Sequence, residues 1–181
     1  MIYLILGVGL WWGAHAFKRI APAARAQMGN AGKGLVTALL LIAVALMYWG
    51  YGQAQGPVWW GRHPALVGIN NLLMLFAFYL YAASGAKTWI ARKIRHPQLT
   101  AVKVWALAHL LVNGDLRSLI LFGGLLAWAV VSVIVINRAQ PVWEPPSPRP
   151  VAKEFVAIGA TLGVTVVVMV IHNWLGVQPW G

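Results

Sequence analysis

Cysteine is absent from this 181-residue sequence. That excludes disulfides, thiolate-held iron–sulfur clusters, zinc fingers and covalent c-type haem attachment. Acidic side chains are nearly absent too: Asp115, Glu144 and Glu154 are the only three. Carboxylate acid–base chemistry and oxygen-rich cation sites therefore have few donors to draw on. Charge of either sign is scarce, at 9% of residues, where water-soluble domains carry about 25%. What fills the chain instead is apolar, at 60% hydrophobic residues. Several apolar runs approach or exceed the roughly 18–20 residues that cross a bilayer. The expected fold is all-α, a single integral membrane domain over residues 1–181 arranged as a six-helix bundle.

The net charge of +11 would suit nucleic acid if it were clustered on one surface. The basic residues instead sit at the ends of apolar runs, which is the pattern of membrane topology. Spans are expected near 2–17, 35–51, 65–84, 99–113, 116–137 and 154–175. The first link holds Lys18, Arg19, Arg25 and Lys33, the third Lys87, Arg92, Lys93 and Arg95, and the fifth Arg138, Arg149 and Lys153. The second and fourth hold only Arg62 and Arg117. Odd-numbered links are thus expected to be cytoplasmic, with both termini on the other side of a bacterial inner membrane. The first run has its charges behind it rather than in front, so it reads as a helix and not as a secretory signal. Trp59 and Trp60 suit one aromatic belt and Trp89 the other. Five prolines between Pro141 and Pro150 predict an extended linker. Arg62-His63-Pro64 recurs as Arg95-His96-Pro97, with each proline placed to open a helix. Gly123-Gly124 and the pair Gly159 and Gly163 permit close helix contact.

Ionisable groups inside spans are costly and mark function by default. His15 lies ~20 Å along the first span and His109 ~15 Å along the fourth, counted from opposite membrane faces at about 1.5 Å per residue. Their depths across a bilayer differ by only ~5 Å. The helical neighbours of His15 are Trp11 and Trp12, and those of His109 are Trp105, Ala106 and Asn113. Flat aromatic surfaces beside imidazole suit an apolar macrocycle, and the small Ala106 leaves room for one. Lys103 is placed to snorkel or to pair with a propionate. Haem b iron held by His15 and His109 is the leading expectation. A histidine bonded to a carbonyl or to Asn113, and a histidine-held copper or iron ion, are the alternatives. His172 is expected nearer the other surface with His63. Catalytic residues and oligomeric state are not legible.

Trp11-Trp-Gly-Ala-His15-Ala-Phe-Lys-Arg, Asn70-Asn-Leu-Leu-Met-Leu, Lys93-Ile-Arg-His-Pro-Gln-Leu and Trp105-Ala-Leu-Ala-His-Leu-Leu-Val-Asn-Gly-Asp resemble the NnrU family of bacterial membrane proteins over nearly the whole chain. The resemblance implies a link to nitrite and nitric oxide metabolism in denitrification, with a redox partner or a nitrogen-oxide reductase nearby. The family is also similar to the plant and cyanobacterial 15-cis-zeta-carotene isomerases, which use haem b. Their ligand histidines fall in motifs like those of His15 and His109. Where those enzymes carry a Cys three residues before the second histidine, this chain has Ala106. Two further expectations follow: a haem-dependent polyene isomerase, and a non-enzymatic assembly or sensing factor for a reductase.

Overall fold

The structure is a computed structural model that describes residues 1–180. Eight helices account for most of the chain: α1 (Ile2–Ile20), α2 (Pro22–Gln27), α3 (Gly29–Gln53), α4 (Pro64–Ala86), α5 (Pro97–Val112), α6 (Leu116–Ser118), α7 (Gly124–Ala139) and α8 (Ala152–Trp174). Two short extended pieces, β1 (Val58–Trp60) and β2 (Gly114–Asp115), interrupt them. The fold is all-α, as the composition requires.

Four helical stretches are long and apolar enough to cross a membrane: Gly29–Gln53, Pro64–Ala86, Leu116–Ala139 and Ala152–Trp174. Helix α5 is apolar but only 16 residues long. The surfaces of these helices are not those of a water-soluble protein. In α8 the exposed positions include Val156, Leu162, Val166 and Val170, each more than half accessible. Runs of large exposed apolar side chains are stable only where the surroundings are themselves apolar. This is an integral membrane protein.

The chain separates into two compact units. Unit 1 comprises Met1–Trp59 and Asp115–Gly124. Unit 2 comprises Trp60–Gly114 and the chain from Leu125 onward. In unit 1, α1 packs along α3, and two glycines let the helices approach. A Cβ on Gly7 would lie 2.8 Å from the Met47 amide nitrogen, and one on Gly50 would lie within 2.8 Å of the Leu4 and Tyr3 backbone. Small residues permit backbone-to-backbone packing, which is how helices associate where water offers no hydrophobic drive.

The link before α3 differs from the sequence reading. Residues 18–34 were expected to be a basic connection; α1 instead runs on to Ile20, α2 follows, and α3 begins at Gly29. Pro22 opens α2 at a position where its missing N–H costs nothing. Arg25 donates from Nη1 to the Gly29 carbonyl at 3.1 Å, and Gly29 turns the chain at φ +50°. Alanine-rich sequence between the basic residues is good helix former, so helix continues where hydropathy stops.

In unit 2, α4 packs on α5 and α8. Proline opens both α4 and α5, at Pro64 and Pro97, as the repeated Arg-His-Pro predicts. The segment 140–150 has no regular structure. Arg92 Nε donates to the Pro146 carbonyl at 3.0 Å, and the Arg95 guanidinium donates to the Gln140 and Pro141 carbonyls. A run of prolines has carbonyls but few N–H groups to offer, so arginine is the complementary partner.

Candidate functional site

Within α1, His15 is half-buried. Its Nδ1 lies 2.9 Å from the Trp11 carbonyl oxygen, and its ring centre is 4.5 Å from that of Trp11, tilted by 44°. Within α5, His109 repeats this arrangement. Its Nδ1 lies 2.9 Å from the Trp105 carbonyl, and the two rings are 5.2 Å apart, tilted by 51°. Positions i and i−4 share a helix face, so a Trp-x-x-x-His segment brings its two rings together. A carbonyl can only accept, so Nδ1 must carry the proton in both histidines. In neutral imidazole that places the lone pair on Nε2.

The remaining expected site residues fall as follows. Trp12 donates from Nε1 to the Gly124 carbonyl at 3.1 Å, within unit 1. A Cβ on Gly124 would meet Val8 at 2.8 Å, so α1 lies close against this turn. Ala106 is fully buried. Asn113 donates from Nδ2 to the His109 carbonyl at 2.8 Å; it caps α5 and binds the main chain of His109, not its ring. Lys103 is half-buried and lies nearly two turns into α5. Trp12→Phe removes one half-buried donor and is expected to lower stability by about 1 kcal/mol, read from thermal unfolding in detergent.

The other histidines separate by environment. His172 donates from Nδ1 to the Val168 carbonyl at 2.8 Å and lies near enough to His109 for the two to interact electrostatically. The sequence reading had paired it with His63, which is exposed and precedes α4. His96 Nε2 lies 2.8 Å from Asn137 Oδ1, joining the start of α5 to the end of α7. Asn71 donates to the Pro179 carbonyl at 3.1 Å. Among the described residues no group of three or more His, Cys, Asp or Glu converges as a metal cage.

Sequence reasoning missed a polar cluster in unit 1. Asp115 caps the helix that follows it, accepting from the Ser118 amide at 2.9 Å, and its other oxygen accepts from Ser118 Oγ at 3.0 Å. Ser118 has a single hydroxyl proton, so Tyr51, 2.8 Å away, must be the donor in their contact. The Arg117 guanidinium lies over the Tyr51 ring at 4.7 Å and 3.4 Å from Asp115 Oδ1. A π-helical turn, Leu119–Gly123, follows immediately; such turns are frequent at functional sites. The signal available in the sequence was Asp-Leu-Arg-Ser, an N-cap spacing.

Four helices long and apolar enough to cross a membrane define the class, a polytopic membrane protein; the two tryptophan-backed imidazoles lie on α1 and on the shorter apolar α5. The family model described as NnrU protein matches residues 3–179, and the chain belongs to the NnrU family. No curated protein and no solved structure matches it.

Proposed function

We propose that this protein binds haem b, that His15 and His109 are the residues that would hold its iron, and that it serves nitrogen-oxide metabolism alongside a nitric oxide reductase. The observation that carries the reading is the geometry that His15 and His109 share and His172 lacks, a carbonyl-bonded imidazole with a tryptophan ring beside it. Metal-ligating histidines characteristically donate their second ring nitrogen to a carbonyl or carboxylate, which fixes the tautomer and aims the other nitrogen at the metal. Both imidazoles do this, through the carbonyls of Trp11 and Trp105. The donor set fits the group. A porphyrin brings its own four nitrogens and needs only axial ligands from the protein, and a chain without cysteine can supply neutral imidazole. When bound, haem would supply a one-electron couple and a metal with affinity for nitric oxide. Family membership supports the link to nitric oxide reduction. Within the same reading, the basic links favour six spans with both termini on the non-cytoplasmic face of a bacterial inner membrane.

The test is an absorption spectrum of purified protein, oxidised and reduced, from cells supplied with haem. A Soret band with a sharp reduced α-band is expected. His109→Ala and His15→Ala should each lose that six-coordinate signature and at least ten-fold in haem retention, while His63→Ala keeps both. A colourless wild-type protein, or one whose spectrum survives both ligand substitutions, overturns the proposal.

A further inference from the structure

Unit 2 contains an apolar cavity of about 520 Å³, well within the size range of ligand sites. Its concavity comes from four alanines on three helices: Ala77 and Ala82 of α4, Ala101 of α5 and Ala160 of α8. Phe78, Tyr81 and Trp105 wall it. The only heteroatoms these side chains offer are the Tyr81 hydroxyl and the Trp105 indole nitrogen, so a ligand here is hydrocarbon along most of its length.

The cavity lies towards one end of unit 2. Ala82 is four residues from the end of α4, Ala101 four from the start of α5, and Val164 twelve from the start of α8. At 1.5 Å per residue it extends from ~6 to ~18 Å inward. The helix ends there are brought together by hydrogen bonds. Glu154 at the start of α8 accepts from Trp89 N and Tyr79 Oη, and His96 meets Asn137. This end is strongly basic. Residues 87–95 supply Lys87, Arg92, Lys93 and Arg95, and residues 138–153 supply Arg138, Arg149 and Lys153, against Glu144 and Glu154. The Glu154 carboxylate is already engaged. A hydrocarbon groove opening below a cationic rim complements one kind of membrane molecule, an anionic amphiphile.

We propose that this groove is a specific site for an anionic phospholipid, with one acyl chain among the alanines and the phosphate held by Lys87 and Lys153. Lys153 lies seven and eleven residues before Ala160 and Val164, on the same face of α8. Lys87 caps α4 five residues beyond Ala82. The site stands independently of the haem reading. It accounts for small residues at positions where the neighbouring exposed side chains are large.

The experiment uses the full chain in bicelles that carry phospholipids with a photoactivatable acyl chain, either phosphatidylglycerol or phosphatidylcholine. Labelled phosphatidylglycerol is expected on the peptides that contain Tyr81 and Trp105, with phosphatidylcholine far weaker. Ala160→Trp fills the groove and should cut phosphatidylglycerol labelling at least ten-fold. Lys87→Gln with Lys153→Gln should bring it down to the phosphatidylcholine level, at about five-fold per lysine, and leave phosphatidylcholine labelling unchanged. The charge substitutions leave the core untouched, so they remain informative if Ala160→Trp fails to fold. Equal labelling by both lipids, unaffected by the lysine substitutions, means boundary lipid only and overturns the proposal.

Discussion

Replacing Gly50 by alanine is expected to cost more than about 3 kcal/mol and to empty most of the folded fraction in detergent. Overpacking a well-packed contact typically costs about 1–3 kcal/mol when side chains can yield. Here they cannot. The added Cβ would collide with the Leu4 amide nitrogen and stand 2.8 Å from Leu4 Cα, and both atoms are main chain. One helix must move off the other, taking the reciprocal contact of Gly7 on Met47 with it. Gly9→Ala is the control. Nothing lies within 4 Å of that position, so the substitution should be neutral or should gain the ~1 kcal/mol by which alanine exceeds glycine in a helix. Thermal unfolding followed by circular dichroism, with the monodisperse yield, separates the two. Equal melting temperatures for Gly50→Ala and Gly9→Ala would contradict the close α1–α3 packing.

Ser118→Val is expected to cost about 2–4 kcal/mol, because it strands two polar partners at once. Asp115 loses a hydroxyl donor and Tyr51 loses the acceptor its own hydroxyl requires. Ser118 is fully buried, so a valine there closes that side of both partners to water. The helix cap itself survives, since the Ser118 amide still donates to Asp115. Tyr51→Phe should cost less, about 1 kcal/mol. It removes one donor and leaves the Ser118–Asp115 pair intact. The order is the diagnostic result: if Tyr51→Phe proves the more damaging, the hydroxyl chain does not run from tyrosine through serine to carboxylate. Urea or thermal unfolding of the two variants beside the unsubstituted protein, in one detergent, decides it.

The helices of this protein were legible because lipid-facing residues are written as long apolar runs, and because Pro64 and Pro97 mark helix starts whatever follows. The pairing of each histidine with a tryptophan was legible too, since four residues make one helical step. What escaped the sequence is non-local. Tyr51 and Ser118 are 67 residues apart, and nothing local in either announces the other. The glycines that pack helices within the chain are non-local in the same way. Gly159 and Gly163 have the spacing of a packing motif, yet a Cβ at either would meet nothing from another part of the described chain within 4 Å. Gly7 and Gly50 do the packing with no motif at all. Of the expected pair Gly123 and Gly124, only Gly124 meets a neighbour. Hydropathy also misjudged where α3 begins, because helix propensity extends past the edge of the apolar run.

The carbonyls that orient His15 and His109 belong to the main chain. No exchange of side chain at positions 11 or 105 deletes them, provided the helix persists. Related sequences are therefore free to trade tryptophan for other residues at those two sites, changing the bulk and polarity around the imidazole while its aim is inherited unchanged. Divergence in this lineage should accumulate in the shell around the nitrogen and spare its direction.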